Sequence, residues 1–512
     1  MEFYNPISDN EAKKLSSELP FFSAHNHTEI SNYRLRDSII RINELIDNAI
    51  ELGYNGVCCT DHEALSAHVK LIKHYKELKE KDKLPEGFKI GLGNEIYLID
   101  SMDDVTTNYV SGQTKYYHFL LLAKDKKGYE QIKQISSESA WSHWFRQGMM
   151  ERVPTIKSEL EEIIGDEKGH IIASTACLGG ELDNLILDYL ETNDIFYKKK
   201  IHNFIKWCIK VFGKENFFLE IQPCIIKKDE NGEKIPHKQA IVNQFMFNLS
   251  KGYGLKIICT TDSHYASKKD RLIHEAYLKA DDEDKKQNRE VAEFYETAYM
   301  FEKNELIKNL SEYLTIEQIK EVFNNTKCLY DKIEEFDLYH PTIVPTDKKI
   351  PPFKLRHTLR KWYDKYEYIK KYAESDNIQD QYLLYLVEVG MDKLDQWGDS
   401  EFHFATYDYD GSIIEEHDKI ITQEEKIERI NEEFSSFWQI SEKLNQKLSA
   451  YYVLVRGLIH EVMWKVSFVG IARGSCGGSY ICYLSEITQI NPLKFDLPFW
   501  RHSSPLRPEL PD

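Results

Sequence analysis

Three features of this 512-residue sequence predict an α/β chain: strands alternating with helices through its first half, then a second folded region. Short apolar runs rich in β-branched residues recur, most of them ending in a polar residue or a histidine. Segments of helical length and spacing lie between them. A charge run at 281–290 (DDEDKKQNRE), with no apolar face, then interrupts the pattern, and a domain boundary is placed near residue 285.

Residues 56–60 (GVCCT) run into Asp61 and His62, and 89–92 run into Gly93, Asn94 and Glu95. Residues 171–176 end at Cys177, 217–221 at Gln222, and 256–261 at Asp262, Ser263 and His264. Between them, 38–52, 64–79 and 238–253 have helical spacing. Strands separated by helices imply right-handed crossovers in a largely parallel sheet or barrel. Beyond the boundary, 305–338 reads as successive helices, followed by a loop around Val344-Pro345 and Pro351-Pro352. Two helices are expected at 355–372 and 379–397, an irregular or hairpin insertion at 402–412, and a long helix at 424–444. Residues 450–460 are apolar and β-prone, and 481–487 read as a short helix.

The composition is 42% hydrophobic and 29% charged, with 24 Gly and 15 Pro, which excludes collagen-like, disordered and low-complexity classes. Acidic residues outnumber basic ones by 84 to 66, so the net charge of -18 gives no whole-surface attraction to nucleic acid or anionic membrane, although a local basic groove is compatible with it. The 9 cysteines form no C-x-x-C pair and are odd in number, which points to a reducing cytoplasm. Neither a secretory leader nor an 18-residue apolar stretch is present, so secretion and membrane spanning are not expected.

The strongest chemistry lies in the first region. His25 and His27 form H-x-H, which puts both imidazoles on one side of an extended segment. Asp37, His62, Glu95, His118, Cys177, Asp262 and His264 follow. Residues just beyond strand carboxyl ends converge on one rim of a parallel fold, so scatter in sequence predicts clustering in space. So many imidazoles, carboxylates and a thiol exceed one tetrahedral site and suit two or three cations among Zn, Mn and Fe. Hydrolysis of phosphate esters is the reaction class that follows. Taken singly, each residue has a structural alternative: Cys177 as a buried small hydrophobe, His118 as a packed ring, Asp37 as cap of a helix starting at Ser38, and Asp61 as an orienting neighbour. His68, His74, His143, His170, His202 and His237 read as structural.

The order H-x-H, D, T-D-H, N-E-x-Y, Y-H-x-x-L-L-A-K-D, C-L-x-G and T-x-D-x-H-Y resembles the polymerase and histidinol phosphatase (PHP) domain, in the version that fronts the bacterial replicative C-family DNA polymerase III alpha subunit. The matching positions are His25, His27, Asp37, His62, Glu95, His118, Cys177, Asp262 and His264. The one departure is a longer spacer between His27 and Asp37. The resemblance implies a distorted seven-stranded β/α barrel over residues 1–285, holding two to three divalent cations and acting as a metal-dependent 3'-5' exonuclease. It also implies a bacterial cytoplasm, or that of an infected bacterial host.

The segment Ala472-Arg473-Gly474-Ser475-Cys476-Gly477-Gly478-Ser479 offers small residues that let a polyanion approach the backbone, and donors in Arg473 and the hydroxyls. Alone it could equally be a tight turn into a packed helix. With the sequence around it, it resembles the palm of the same polymerases, an α+β nucleotidyltransferase-like domain here assigned to 286–512, in which Arg473, Gly474, Ser475, Gly478 and Ser479 would contact the incoming triphosphate. Relatives of that kind continue from the final Pro511-Asp512 into a D-x-D carrying two catalytic carboxylates. The expected arrangement is therefore the amino-terminal piece of a split polymerase. A carboxyl-terminal polypeptide would supply the catalytic aspartates, thumb and fingers, with Mg2+, primer-template DNA and deoxynucleoside triphosphates as further partners. The alternatives are a free-standing PHP phosphoesterase or nuclease, and a non-catalytic, metal-stabilised assembly subunit.

Overall fold

The computed structural model describes residues 2–106, 116–147, 150–280, 293–340, 343–344 and 350–509. The charge run expected at the domain boundary, the Pro345 loop and the terminal Pro511-Asp512 fall outside the described residues. The chain divides into two units, Met1–Tyr339 and His340–Asp512, each with its own apolar core. Among the described residues no helix is long and apolar enough to cross a membrane.

The first unit is built on β1 (Phe22–Ser23), β2 (Gly56–Cys59), β3 (Lys89–Ile99), β4 (Tyr117–Ala123), a small hairpin of β5 (Phe145–Gln147) and β6 (Met150–Arg152), β7 (Thr155–Ile156), β8 (Ile171–Ser174), β9 (Phe217–Ile221) and β10 (Lys256–Cys259). Seven of these form a path in the order β1-β2-β3-β4-β8-β9-β10, with β7 pairing β3 from the side. The pairings β1–β2, β2–β3, β8–β9 and β9–β10 are parallel. The parallel expectation fails at β4, which runs antiparallel to both neighbours. That reversal brings the start of β4, rather than its end, to the rim where the other strands finish. The two ends of the path meet through a parallel bridge between Asn26 and Ser263, where the His27 N–H donates to the Ser263 carbonyl at 2.9 Å.

Two helices beyond residue 285 belong to this unit. Lys303–Leu310 packs on the first helix, Asp9–Glu18, and Ile316–Tyr330 packs on β1 and β10 together. Leu306, Ile307, Leu310, Ile319, Val322 and Phe323 are fully buried in its core. The compact unit therefore runs past the boundary read near 285, because the helices after the charge run cover the seam between its first and last strands.

The second unit is mainly helical, with one hairpin among the described residues, β11 (Ser400–Tyr407) and β12 (Ile413–Ile421). Helices Ile378–Lys393 and Gln423–Leu444 form its core with Leu448–Gly457 and Tyr480–Leu484. Residues 450–460, expected as β-prone, are helical and then π-helical through Leu458–Met463. Leu448, Tyr452 and Val453 are buried there at helical spacing, so packing overrides a weak local preference.

Candidate metal centre

The nine side chains read from the sequence come together at one rim of the first unit. His25, His27, Asp37, His62, Glu95, Cys177, Asp262 and His264 are buried, and the His118 side chain is 21% exposed. Glu95 lies inside the long β3, opposite Leu120, and His118 stands near the start of β4 opposite Tyr97. Cys177 follows β8 in a loop that wraps His118: the His118 N–H donates to the Gly179 carbonyl, and a Cβ on Gly180 would lie 2.3 Å from the Thr175 carbonyl oxygen. Asp37 caps no helix, since the next one begins at Ile42 with Arg41 as its N-cap. Glu63, Ala176 and Asp262 adopt positive φ of 47°, 59° and 44°, so among the described residues three of the nine non-glycines in that region are a ligand candidate or its immediate neighbour.

Three overlapping groups of donor atoms result. His25 Nε2 lies 3.4 Å from Glu95 and 3.3 Å from Asp262, and His27 Nε2 lies 3.4 and 3.0 Å from the same two carboxylates. Glu95 also meets His118 Nδ1 at 2.8 Å, and Cys177 Sγ is 3.5 Å from that nitrogen. Asp37 Oδ2 sits 3.3 Å from His62 Nε2 and 3.2 Å from His264 Nε2, while His62 Nδ1 faces Glu95 at 2.6 Å.

The outer hydrogen bonds set the tautomers. Glu220 accepts from His25 Nδ1 at 2.7 Å, from Thr260 at 2.5 Å, from Gln222 at 3.2 Å and from the Ser174 hydroxyl. Ser31 spends its hydroxyl hydrogen on Asp61, so His27 Nδ1 must donate to it at 3.0 Å. His264 Nδ1 donates to the Asp262 carbonyl at 2.8 Å. In the neutral form of each of these rings the lone pair is left on Nε2, facing the cluster. Asp61 itself ties the loop after β1, accepting from the Thr28 N–H at 2.6 Å and from the Thr28 and Ser31 hydroxyls.

The field is strongly anionic. Burial alone would depress His25 and His62. The carboxylates of Asp262, Glu220 and Glu95 instead hold His25 well above its ordinary value, and Asp37 and Glu95 push His62 up to about 10. Burial, with His62 and His264 beside it, drops His27 to about 4. Against burial, the neighbouring imidazoles keep Asp37, Glu95 and Asp262 below the usual carboxylate range. Burial, then Asp262 and Glu95, push the Cys177 thiol well up, so its thiolate form requires a cation.

A set of divalent cations fits this arrangement. Asp37 Oδ1 is buried with no hydrogen-bond donor, and the buried Glu95 Oε2 and Asp262 Oδ1 meet only imidazole nitrogens of the cluster. The Nε2 atoms of His25 and His27 stand 3.2 Å from each other and 3.0–3.4 Å from oxygens of Glu95 and Asp262, separations close to the edge of about 3.4 Å in a tetrahedron with ~2.1 Å bonds. Imidazole, carboxylate and thiolate suit Zn, Mn or Fe.

Three contributors escape sequence reading. Glu220 is marked only by a charge inside the apolar strand FFLEI. His274 donates to the Asp37 carbonyl at 2.6 Å and Tyr295 to Asp37 Oδ2 at 3.2 Å, and neither carries a motif.

In the second unit Arg473, Gly474 and Ser475 are exposed, whereas Gly478 and Ser479 are buried. The helix expected at 481–487, with its amino end toward the phosphate ligand, spans Tyr480–Leu484, and that end is already filled from within the unit. Glu433 occupies that end, accepting from the Tyr480 and Ile481 N–H groups at 2.7 and 2.9 Å and from the Ser479 hydroxyl at 2.7 Å.

Residues 23–224 match the PHP domain family, and 409–512 match the bacterial DNA polymerase III alpha NTPase domain. The chain is 42% identical over 503 residues to the probable DNA polymerase YorL of Bacillus subtilis and, equally, to a DNA-directed DNA polymerase of Bacillus phage SPbeta, matching 95% of this chain and 36% of each relative. It is 26% identical over 499 residues to DNA polymerase III subunit alpha of Borreliella burgdorferi, matching 96% of this chain and 34% of that protein. The chain thus spans about a third of the length of the curated relatives it matches.

Proposed function

From a chain that pairs a PHP domain with a match to the amino-terminal portion of bacterial DNA polymerase III alpha, we propose a polymerase component whose barrel hydrolyses phosphodiesters, removing nucleotides from a DNA 3' end. The observation that carries this reading is the convergence of nine ligand-type side chains, with three imidazoles locked to expose Nε2. His25, His27, Glu95 and Asp262 would hold one cation, Glu95, His118 and Cys177 a second, and Asp37, His62 and His264 a third. Divalent cations there would lower the pKa of a water and neutralise the phosphodiester. Glu220, Ser31 and the Asp262 carbonyl keep the three rings in the ligating tautomer, and Asp61 anchors the loop after His27. His118, the exposed member, marks the side from which a strand end enters.

Templated nucleotide addition is assigned to this chain only together with the carboxyl-terminal portion of such a polymerase, on the same polypeptide or on a partner, because the chain matches about a third of the length of these polymerases. The exposed Arg473, Gly474 and Ser475 would meet the triphosphate, with Gly478 and Ser479 shaping the loop from below.

With Mn2+ or Zn2+, the chain is expected to release 3'-terminal nucleotides from a mismatched primer, and His25→Ala, still folded by circular dichroism, to release none. A metal-loaded, folded wild type that leaves the primer intact overturns the nuclease assignment. Primer extension with Mg2+ by these 512 residues alone overturns the division of polymerase labour.

A further inference from the structure

Asp37 is the candidate ligand with the longest tether, ten residues beyond His27, and no strand end fixes it. Its main chain is pinned on both sides. The Asp37 N–H donates to Asn32 Oδ1 at 3.0 Å, and His274, fully buried and stacked on Tyr265, donates to the Asp37 carbonyl at 2.6 Å. What remains is rotation of the carboxylate itself. The Tyr295 hydroxyl stands 3.2 Å from Oδ2, the oxygen that also faces His62 and His264, while Oδ1 is buried with no donor.

Tyr295 is held as firmly as the group it holds. Its own carbonyl accepts from the Tyr265 hydroxyl at 2.7 Å, and its ring meets His264 edge-on, with centroids 5.5 Å apart. Just after it, the His264 N–H donates to the Ala298 carbonyl at 2.8 Å, and Tyr265 bridges Tyr299 in parallel. The segment following β10 and the segment carrying Tyr295 are therefore one local piece of structure, which fixes His264 and the Asp37 carboxylate relative to each other.

We propose that Tyr295 is a positioning residue for the cation shared by Asp37, His62 and His264, setting the carboxylate so that this third site is formed before the cation arrives. The proposal rests on the metal reading above. A donor to a ligating carboxylate removes a rotational degree of freedom from the ligand, and loss of such outer partners typically weakens a site about 10- to 100-fold. The other two groups share no hydrogen bond with Tyr295 and should not respond.

The test is the 512-residue chain loaded with Zn2+ and titrated with a chelator, reading the release of each cation. Wild type is expected to show a class of cation that Tyr295→Phe releases about 10- to 100-fold more readily, with the remaining cations unchanged. Asp37→Asn should weaken the same class, and adding Tyr295→Phe to it should change release no further, because the two act on one site. A release profile of Tyr295→Phe identical to wild type overturns the proposal and leaves the metal centre standing. So does equal weakening of every class, which marks a general structural role. A wild type that retains no Zn2+ removes the metal reading itself.

Discussion

At the level of single residues, Glu220 shows what a buried charge is for. It is fully buried in β9 among Phe217, Phe218, Leu219 and Ile221, a position where an unpaired carboxylate would be costly. Four donors meet it, and one of them is the His25 ring nitrogen that points away from the cluster. Glu220→Gln keeps the size but gives the His25 N–H an amide that can also donate, so the ring loses its fixed tautomer. Cation affinity at the His25 group should fall about 10- to 100-fold, read by chelator competition, while Tyr295-dependent release stays as in wild type. Five of the nine clustered residues, His25, His27, His62, Asp262 and His264, were legible because H-x-H, T-D-H and T-x-D-x-H place ligand types just beyond strand ends, whereas Asp37, Glu95 inside β3 and His118 at the start of β4 were legible through the resemblance. Glu220 was not, since a carboxylate one place before a strand's end reads as part of the strand. Tyr295 and His274 were not legible because their reason for being there is Asp37, more than 230 positions earlier.

Among the elements, the helix Gln423–Leu444 has two jobs. One face packs Ile427, Ile430, Phe434, Phe437 and Ile440 into the second core. From the same helix Glu433 reaches the amino end of Tyr480–Leu484 and pairs with Arg429 Nε at 2.7 Å, while Arg429 also donates to the Gly478 and Leu497 carbonyls. Burial pushes the Glu433 carboxyl up, and Arg429 with the two amides opposes it. The glycine- and serine-rich loop is therefore anchored at its back by an internal anion, which leaves its front residues, Arg473 to Ser475, facing outward. Glu433→Ala leaves two buried N–H groups without an acceptor and takes the carboxylate from the partly buried Arg429, and should cost the second unit roughly 3–5 kcal/mol, measured by denaturant unfolding. Sequence reading located this helix well, because its 3.6-residue apolar spacing is sustained over six turns. It missed the helix at Leu448–Gly457, where runs of Tyr, Val and Leu satisfy a strand as readily as a helix and only the partner surfaces decide.

For the whole molecule, the decisive question is where the first unit stops, and the charge run was a misleading guide. A solvated stretch can interrupt a domain as well as end one, and nothing in 281–290 says which. What decides is the seam between the first and last strands of the path. Helix Ile316–Tyr330 lies on both β1 and β10: Thr326 accepts from the Phe22 N–H at 3.2 Å, Asn325 donates to the Ile257 carbonyl at 2.9 Å, and Phe323 packs on Phe21 with ring centroids 5.2 Å apart. Burying each of Leu306, Ile307, Leu310, Ile319, Val322 and Phe323 is worth about 1.5–3 kcal/mol, and together they match or exceed the net stability of about 5–15 kcal/mol that a whole domain has to spare. A chain cut after residue 285 would lose all six, open the edges of β1 and β10, and drop Tyr295 from the candidate metal centre. Residues 1–339 should therefore melt in one cooperative transition and bind cations as the 512-residue chain does, whereas residues 1–285 should aggregate or melt without cooperativity. Size-exclusion chromatography, thermal melting and cation content of the two fragments distinguish them. A cooperative, cation-loaded 1–285 fragment would mean that the strands close on themselves and that the helices beyond the charge run are only an attachment.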